Sequence, residues 1–480
     1  MVAAVPADPG SHGAGFAALY DTVVNYQSMR GRQLAIVAVT PYPSRAIAWY
    51  ATIVLAFLYW VSLFDRFIIS LLVGPIKRDL GLTDVDFGML HGFGFAITFS
   101  LFGLAAGVLA DRHNRRWVIF AGVSIWSLAT AACGLAQNYW QLLLARVGVG
   151  TGEAALNPCA TSMISDLFPR ERLATALTMY AIGSTIGAGT AFVFGGAIVE
   201  LVTHTDTVAV PLIGAVRSWQ AAFLILGIPG AVLSLIIFTV PEPLRRGLRT
   251  TARTVGTWLG SYHELLIYMN ARRRFFLCHY LGFMFASLVL VGCAAWYAPH
   301  MSRSFGWGAQ QVGLTLGLTL AAGGVTGQLL VGRVADAMYG RGVRDAPLRC
   351  YAVCLVLAAP VGFLATTSAN PAGFLVGLFC FIMLIQSLPS CLYTALNLVT
   401  PNELRGTGVA LFSATSGLIG AGAGPVVVAA ISDHVYQRES AIGLAMGTLI
   451  AIGCPLAAVI LALGMRPMRE AMVQIGEPAN

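Results

Sequence analysis

The sequence predicts an all-α membrane protein of twelve transmembrane helices arranged as two six-helix, pseudo-symmetric halves. Three observations carry this: apolar runs of membrane-spanning length, a one-sided distribution of arginine among the loops, and motifs that recur about half a chain apart. Of 480 residues, 57% are hydrophobic and only 10% are charged, with a mean hydropathy of +0.76. A soluble domain carries about 25% charged residues, so there is too little charge here to coat a water-facing surface.

A helix needs about 20 apolar residues to cross the hydrocarbon core, where its backbone groups must be satisfied internally. Runs of that kind occupy residues 47–74, 87–110, 117–136, 140–166, 173–200 and 219–240, then 275–298, 309–337, 348–367, 371–399, 405–432 and 441–464. The chain therefore divides into a cytoplasmic, poorly ordered tail (1–46), a first half (47–240), a linker (241–274), a second half (275–464) and a cytoplasmic tail (465–480). The stretch Leu34 to Val39 in the leader is too short to span, ends at Pro41 and Pro43, and has no basic segment before it of the kind a secretory signal needs.

Basic residues are retained on the cytoplasmic side of a membrane, so the loops are read by their Lys and Arg. Of 29 basic residues, 28 are Arg and one is Lys77. With the N-terminus inside, 22 fall in cytoplasmic segments and five (Lys77, Arg78, Arg217, Arg303, Arg438) outside, while Arg66 and Arg146 lie within spans. Both termini are expected in the cytoplasm, with the protein in a bacterial inner membrane. The arginines sit in short loops rather than on one polar domain, which argues against nucleic acid as a partner. The linker opens with Pro241-Glu242-Pro243, and Trp258, Tyr262, Leu265, Leu266 and Met269 recur there at helical spacing. An amphipathic helix at the inner membrane surface, near anionic lipid, is expected.

Nine cysteines lie in or beside apolar segments with no CxxC spacing, so they read as small core residues rather than disulfide or metal ligands. Enzyme motifs are missing. The single lysine lies in Gly74-Pro-Ile-Lys77-Arg78, which rules out a GxxxxGK[ST] phosphate loop, and neither HExxH nor GxSxG occurs. No catalytic residues, cofactor or metal are expected.

The halves match each other, the sequence mark of many transporter folds. Gly107-Val-Leu-Ala-Asp111 answers Gly332-Arg-Val-Ala-Asp336, displaced by 225 residues. Pro169-Arg-Glu171 and Ile186-Gly-Ala-Gly189 answer Pro401-Asn-Glu403 and Ile419-Gly-Ala-Gly422, displaced by 232 and 233. The extended motif Gly107-Val-Leu-Ala-Asp111-Arg112-His-Asn-Arg115-Arg116 resembles the loop between the second and third helices of the major facilitator superfamily. Arg146-Val-Gly-Val-Gly150-Thr-Gly152-Glu153 is similar to that family's fourth-helix motif. With Asp65-Arg66 and Ser165-Asp166-Leu-Phe-Pro169-Arg170, the first half looks like the Spinster-like branch. Asn114 stands where the family motif has glycine, a place that tolerates the left-handed conformation. The proline of the antiporter motif is missing from the fifth span, so antiport gains no support.

Charged side chains at the bilayer centre cost about 2.5–3.5 kcal/mol on insertion scales and are functional candidates by default. Asp65, Arg66, Arg146 and Glu153 occupy overlapping depths. Arg146 and Glu153, seven residues apart, share a helix face at about 10 Å along the axis. In the family the first and fourth helices line the central cavity, so Arg146, Asp65 and Glu153 are expected to cluster with Arg66 close by, Glu153 and Asp65 exchanging protons and Arg146 and Arg66 holding a substrate head. The rival reading is an ion-pair network that only packs two helices. Asn157 and, in the second half, Tyr280, Ser287, Gln386, Tyr393 and Asn397 are candidate neutral cavity groups. The motif residues Gly107, Asp111, Arg112, Arg115 and Arg116, with Asp336, are expected to latch the inner side, Asp111 on Arg405 and Asp336 on Arg172 at the helix starts of the opposite half. The rival there is loop ordering within one half.

The resemblance implies a secondary, proton-coupled transporter that moves a lysolipid- or sphingolipid-like amphiphile by alternating access; a monomer is expected, though the sequence does not set the oligomeric state. A carrier of small organic acids or drugs, and a membrane sensor or scaffold that binds without transporting, are the alternatives.

Overall fold

The computed structural model describes residues 42–168, 170–203, 207–211, 213–245 and 255–474. The expected tail 1–46 thus lies almost wholly outside the described residues. Among the described residues ten helices are long and apolar enough to cross a membrane: Arg45–Leu71, Asp84–Gly107, Arg115–Cys133, Ser218–Thr239, Arg273–Ala294, Ala309–Gly340, Ala346–Thr366, Pro371–Val399, Thr407–Tyr436 and Glu439–Gln474. The fourth and fifth expected spans complete the set as a broken pair, Tyr139–Glu153 and Leu156–Leu167, and the long helix Arg170–Thr203.

The fourth span breaks at Ala154 and Ala155, four residues before Pro158, whose ring excludes the carbonyl one turn back and donates no hydrogen bond. The tenth breaks likewise into Pro371–Ile385 and Leu388–Val399, with Pro389 four residues past Ile385. The repeat continues beyond the spans. Short helices Val73–Leu80 and Tyr297–Phe305 follow the first and seventh, and each ends on a left-handed glycine, Gly81 (φ 65°) and Gly306 (φ 67°).

The halves meet where glycines let backbones touch. A Cβ on Gly189 would lie 2.5 Å from the Gly317 carbonyl oxygen, and one on Gly196 equally close to that of Ala309, so the fifth and eighth spans cross at bare backbone. Gly92 meets the Gly422 carbonyl in the same way between the second and eleventh spans. Such close approach replaces the side-chain burial that drives packing in water, because lipid offers no hydrophobic penalty to escape.

Two features depart from the expected outline. An antiparallel hairpin, Thr207–Val210 against Gly214–Arg217, stands in the connection between the fifth and sixth spans, where β-branched residues lead into Gly214 at φ 97°. The last helix continues past 464 to Gln474, where Arg469 pairs with Asp345 at 2.5 Å. In the linker a helix runs Val255–Ala271, with Leu265 buried and the Tyr268 hydroxyl donating to the Val399 carbonyl at 2.6 Å. It is docked against the second half.

Candidate functional site

Asp65 and Arg66 are consecutive on the first span, so their side chains leave it about 100° apart. That angle separates their partners. Arg66 turns toward the second and fourth spans, where its Nη2 lies 2.5 Å from Glu153 Oε2 and its guanidinium covers the rings of Phe95 and Phe99 at 4.6 and 5.1 Å. Asp65 turns toward Trp126 and Thr130 of the third span and enters no ion pair among the described residues. Arg146 reaches Asp65 only through its backbone, donating from Nη1 to the carbonyl oxygen at 3.1 Å. The second and fourth spans, which carry Phe95 and Glu153 to Arg66, approach closely at Gly150, where a Cβ would lie 2.5 Å from the Phe95 carbonyl oxygen.

The four charges therefore share one region, and Arg66 rather than Asp65 is the ion-pair partner of Glu153. Asp65, Arg146 and Glu153 are buried, while the Arg66 side chain keeps 26% of its surface exposed. Glu153 Oε1 and the Nε and Nη2 of Arg146 have no partner. Buried polar atoms are nearly always hydrogen-bonded, so this site holds unused capacity for one acceptor and two donor groups.

Among the candidate neutral groups, Asn157 accepts from the Tyr180 hydroxyl at 2.5 Å, and Tyr180 stacks on Tyr59 with centroids 5.2 Å apart. Tyr280 donates to the Gly408 carbonyl at 3.1 Å, and Ser287 is packed against Gly420. Those three are engaged in packing. Gln386 sits at the break of the tenth span, Asn397 is half-buried, and Tyr393 is 38% exposed and within electrostatic range of Tyr59 in the other half.

In the motif loop, Arg115 is fully buried between Asp166 Oδ2 at 2.5 Å and Glu242 Oε1 at 2.8 Å, and also donates to Ser162 and the Pro243 carbonyl. The Arg116 backbone and side chain reach Glu242 and the Val240 carbonyl. This ties the loop to the fourth span and the linker of the same half. Asp111 and Arg112 have side chains outside the described residues, and a Cβ on Gly107 would meet open space. Asp336 is exposed, Arg172 is exposed beside Tyr42 and Phe168, and Arg405 Nε donates to the Thr400 carbonyl at 3.0 Å. No described ion pair joins Asp336 to Arg172.

Sequence reasoning missed the contacts at the end opposite the arginine-rich loops. There Arg303 binds Asp84 through both guanidinium nitrogens at 2.8 Å, Lys77 bridges Asp84 at 2.5 Å and Glu439 at 2.7 Å, and the Val85 amide donates to Asp433 at 3.1 Å. Lys77 to Glu439, Val85 to Asp433 and Arg303 to Asp84 are contacts between the halves. A partial signal was present: Lys77-Arg78-Asp79 and Arg438-Glu439 set basic residues of that end beside acids in both halves, whereas Arg303 has none near it in the sequence.

The Major Facilitator Superfamily model matches residues 55–425. An "MFS-type efflux pump" of Mycolicibacterium smegmatis is 30% identical over 412 residues, covering 84% of this chain and 89% of that protein. "Protein spinster homolog 1" of Xenopus tropicalis is 26% identical over 410 residues, 81% of this chain and 73% of that one. A solved bacterial homologue of the human lysosomal transporter Spinster, described as inward-facing and unoccupied, aligns with a TM-score of 0.72 at 24% identity, covering 91% of this chain and all of its own. With a family match over most of its length, twelve spans in two halves and relatives that are carriers rather than enzymes, this multi-pass membrane protein belongs to the Major Facilitator Superfamily as a Spinster-like transporter.

Proposed function

We propose that the chain is a proton-coupled carrier of an anionic or zwitterionic amphiphile, with the arginine-rich end in the cytoplasm and the site around Arg66 and Arg146 open toward that side. The carrying observation is the buried Arg66–Glu153 pair beside an Arg146 with two unpartnered nitrogens. Arginine keeps its charge when desolvated and pairs two ways with phosphate or carboxylate, so Arg146 binds the head. A proton on Glu153, with Asp65 as its neighbour, frees Arg66 for the substrate; return of the ion pair expels the proton. The Lys77, Asp84, Arg303 and Glu439 contacts close the outer side while the site faces inward, and the inner latches of Asp111 and Asp336 form when it faces outward.

Purified protein in vesicles tests this by counterflow of labelled lysolipid against short organic acids. Counterflow of the lysolipid is expected, and Arg146→Lys weakens binding of anionic amphiphiles about tenfold, roughly one charge-assisted hydrogen bond, with little effect on neutral ones. Binding without counterflow identifies a sensor, and counterflow of organic acids alone identifies the small-anion carrier.

A further inference from the structure

A cleft of about 270 Å³ opens on the membrane face of the first half, between the first, fifth and sixth spans. Phe57, Trp60 and Phe64 of the first span and Phe194 of the fifth line it, with Asp65 in its wall as the one ionisable group. The rings form a connected set: Trp60 meets Phe64 edge-on at 4.6 Å, Phe57 at 5.7 Å and Phe194 at 6.1 Å. The indole Nε1 is already spent on Thr190 at 2.7 Å, so the cleft presents ring faces rather than donors. Phe194 is 51% exposed and Ile225 at the rim 42%, which leaves the entrance toward lipid.

Asp65 is 3% exposed and reaches the surface through this cleft. Neither neighbouring cation forms an ion pair with its carboxylate: Arg66 pairs with Glu153, and Arg146 donates to the Asp65 carbonyl. Beside its carboxyl stand Trp126 and Thr130 of the third span. We propose that the cleft binds a lipophilic ammonium ion entering from the bilayer, its cationic head against Asp65 and its chain left in the lipid beyond Phe194. Aromatic faces attract a cation, and a carboxylate at membrane depth needs one. An anionic head meets repulsion from both, and a neutral head leaves the carboxylate uncompensated. The cleft lies on a different face of the first span from the Arg66 guanidinium, and Asp65 is the one residue it shares with the proposed proton pair.

Photocross-linking in proteoliposomes tests it, using a dodecylammonium that carries a diazirine near its head and the matching dodecanol. The ammonium is expected to label the segments around Trp60, Phe194 and Ile225. Asp65→Asn lowers that labelling about tenfold, the loss of one charge-assisted contact, and leaves the alcohol unaffected. Val61→Trp fills the cleft and removes the labelling with Asp65 intact, which keeps the test valid if the Asp65 variant fails to fold. Equal labelling by ammonium and alcohol, or label around Phe95 and Phe99 that survives Val61→Trp, overturns the proposal. Val61→Trp leaves Asp65, Glu153 and both arginines in place, so counterflow that persists in that variant while the labelling is lost separates the two readings.

Discussion

Gly189 and Gly317 touch backbone to backbone across the two halves, and the repeat maps this contact onto Gly422 and Gly92, displaced by 233 and 225 residues. One crossing is built twice. Gly189→Ala puts a methyl group against a carbonyl that cannot swing away, an overpacking error of about 1–3 kcal/mol. Gly183→Ala, on the same helix, makes only an ordinary contact with Ala56 at 3.6 Å. Melting in detergent separates them: Gly189→Ala lowers the Tm, whereas Gly183→Ala holds or raises it because glycine in a helix costs about 0.5–1 kcal/mol relative to alanine. Equal Tm values refute the tight crossing.

Asp84 is the shared anion of the opposite-end contacts, bound by Arg303 of one half and Lys77 of its own, with its carboxylate out of solvent. Removing it leaves Lys77 and Arg303 with only the exposed Glu439 as counter-charge, a loss of up to about 3–5 kcal/mol for a buried pair. Asp84→Asn is expected to shift the population toward opening at that end. A membrane-impermeant maleimide should then react severalfold faster with a cysteine introduced as Phe93→Cys. An unchanged rate shows that these ion pairs do not hold the halves closed.

Glu153→Gln imitates the protonated carboxyl without the ability to release its proton. Uptake driven by an imposed pH gradient is expected to vanish, while binding and exchange of substrate persist, because the amide still fills the space beside Arg66. Gradient-driven uptake equal to that of the parent would remove Glu153 from coupling.

His300 lies just beyond the seventh span, its Nδ1 bonded to Ser304 Oγ at 3.1 Å and its ring between Phe305 and Phe374. Burial, and then the charge of Arg303, pull its pKa down from 6.5 to about 4. The unfolded chain therefore binds the extra proton first on acidification. This contribution to stability is complete above pH 6.5 and is lost progressively as the pH falls from 6.5 toward 4. The Tm of His300→Gln is expected to fall less than that of the parent between pH 7 and pH 5, and identical slopes would show that His300 does not contribute.

Apolar length, arginine placement and the internal repeat are properties of the chain read in one dimension. From them the sequence by itself determined the twelve spans, the division into halves and the kinship, whereas Pro158 and Pro389 break their spans and Pro360 and Pro455 leave theirs continuous, a difference the tertiary structure decided. The sequence also singled out the four intramembrane charges, since their cost in lipid is a matter of residue type and depth. Which charge meets which was decided only by the tertiary structure. Asp65 and Arg66 differ by one helical step, and the rotation of the first span about its axis sends one to Glu153 and the other to the third span and the lateral cleft. The opposite-end ion group joins Lys77 to Glu439 across 362 residues of chain, and Arg303 to Asp84 across 219. No local pattern encodes such pairs, because they exist only where two separately folded halves lean together.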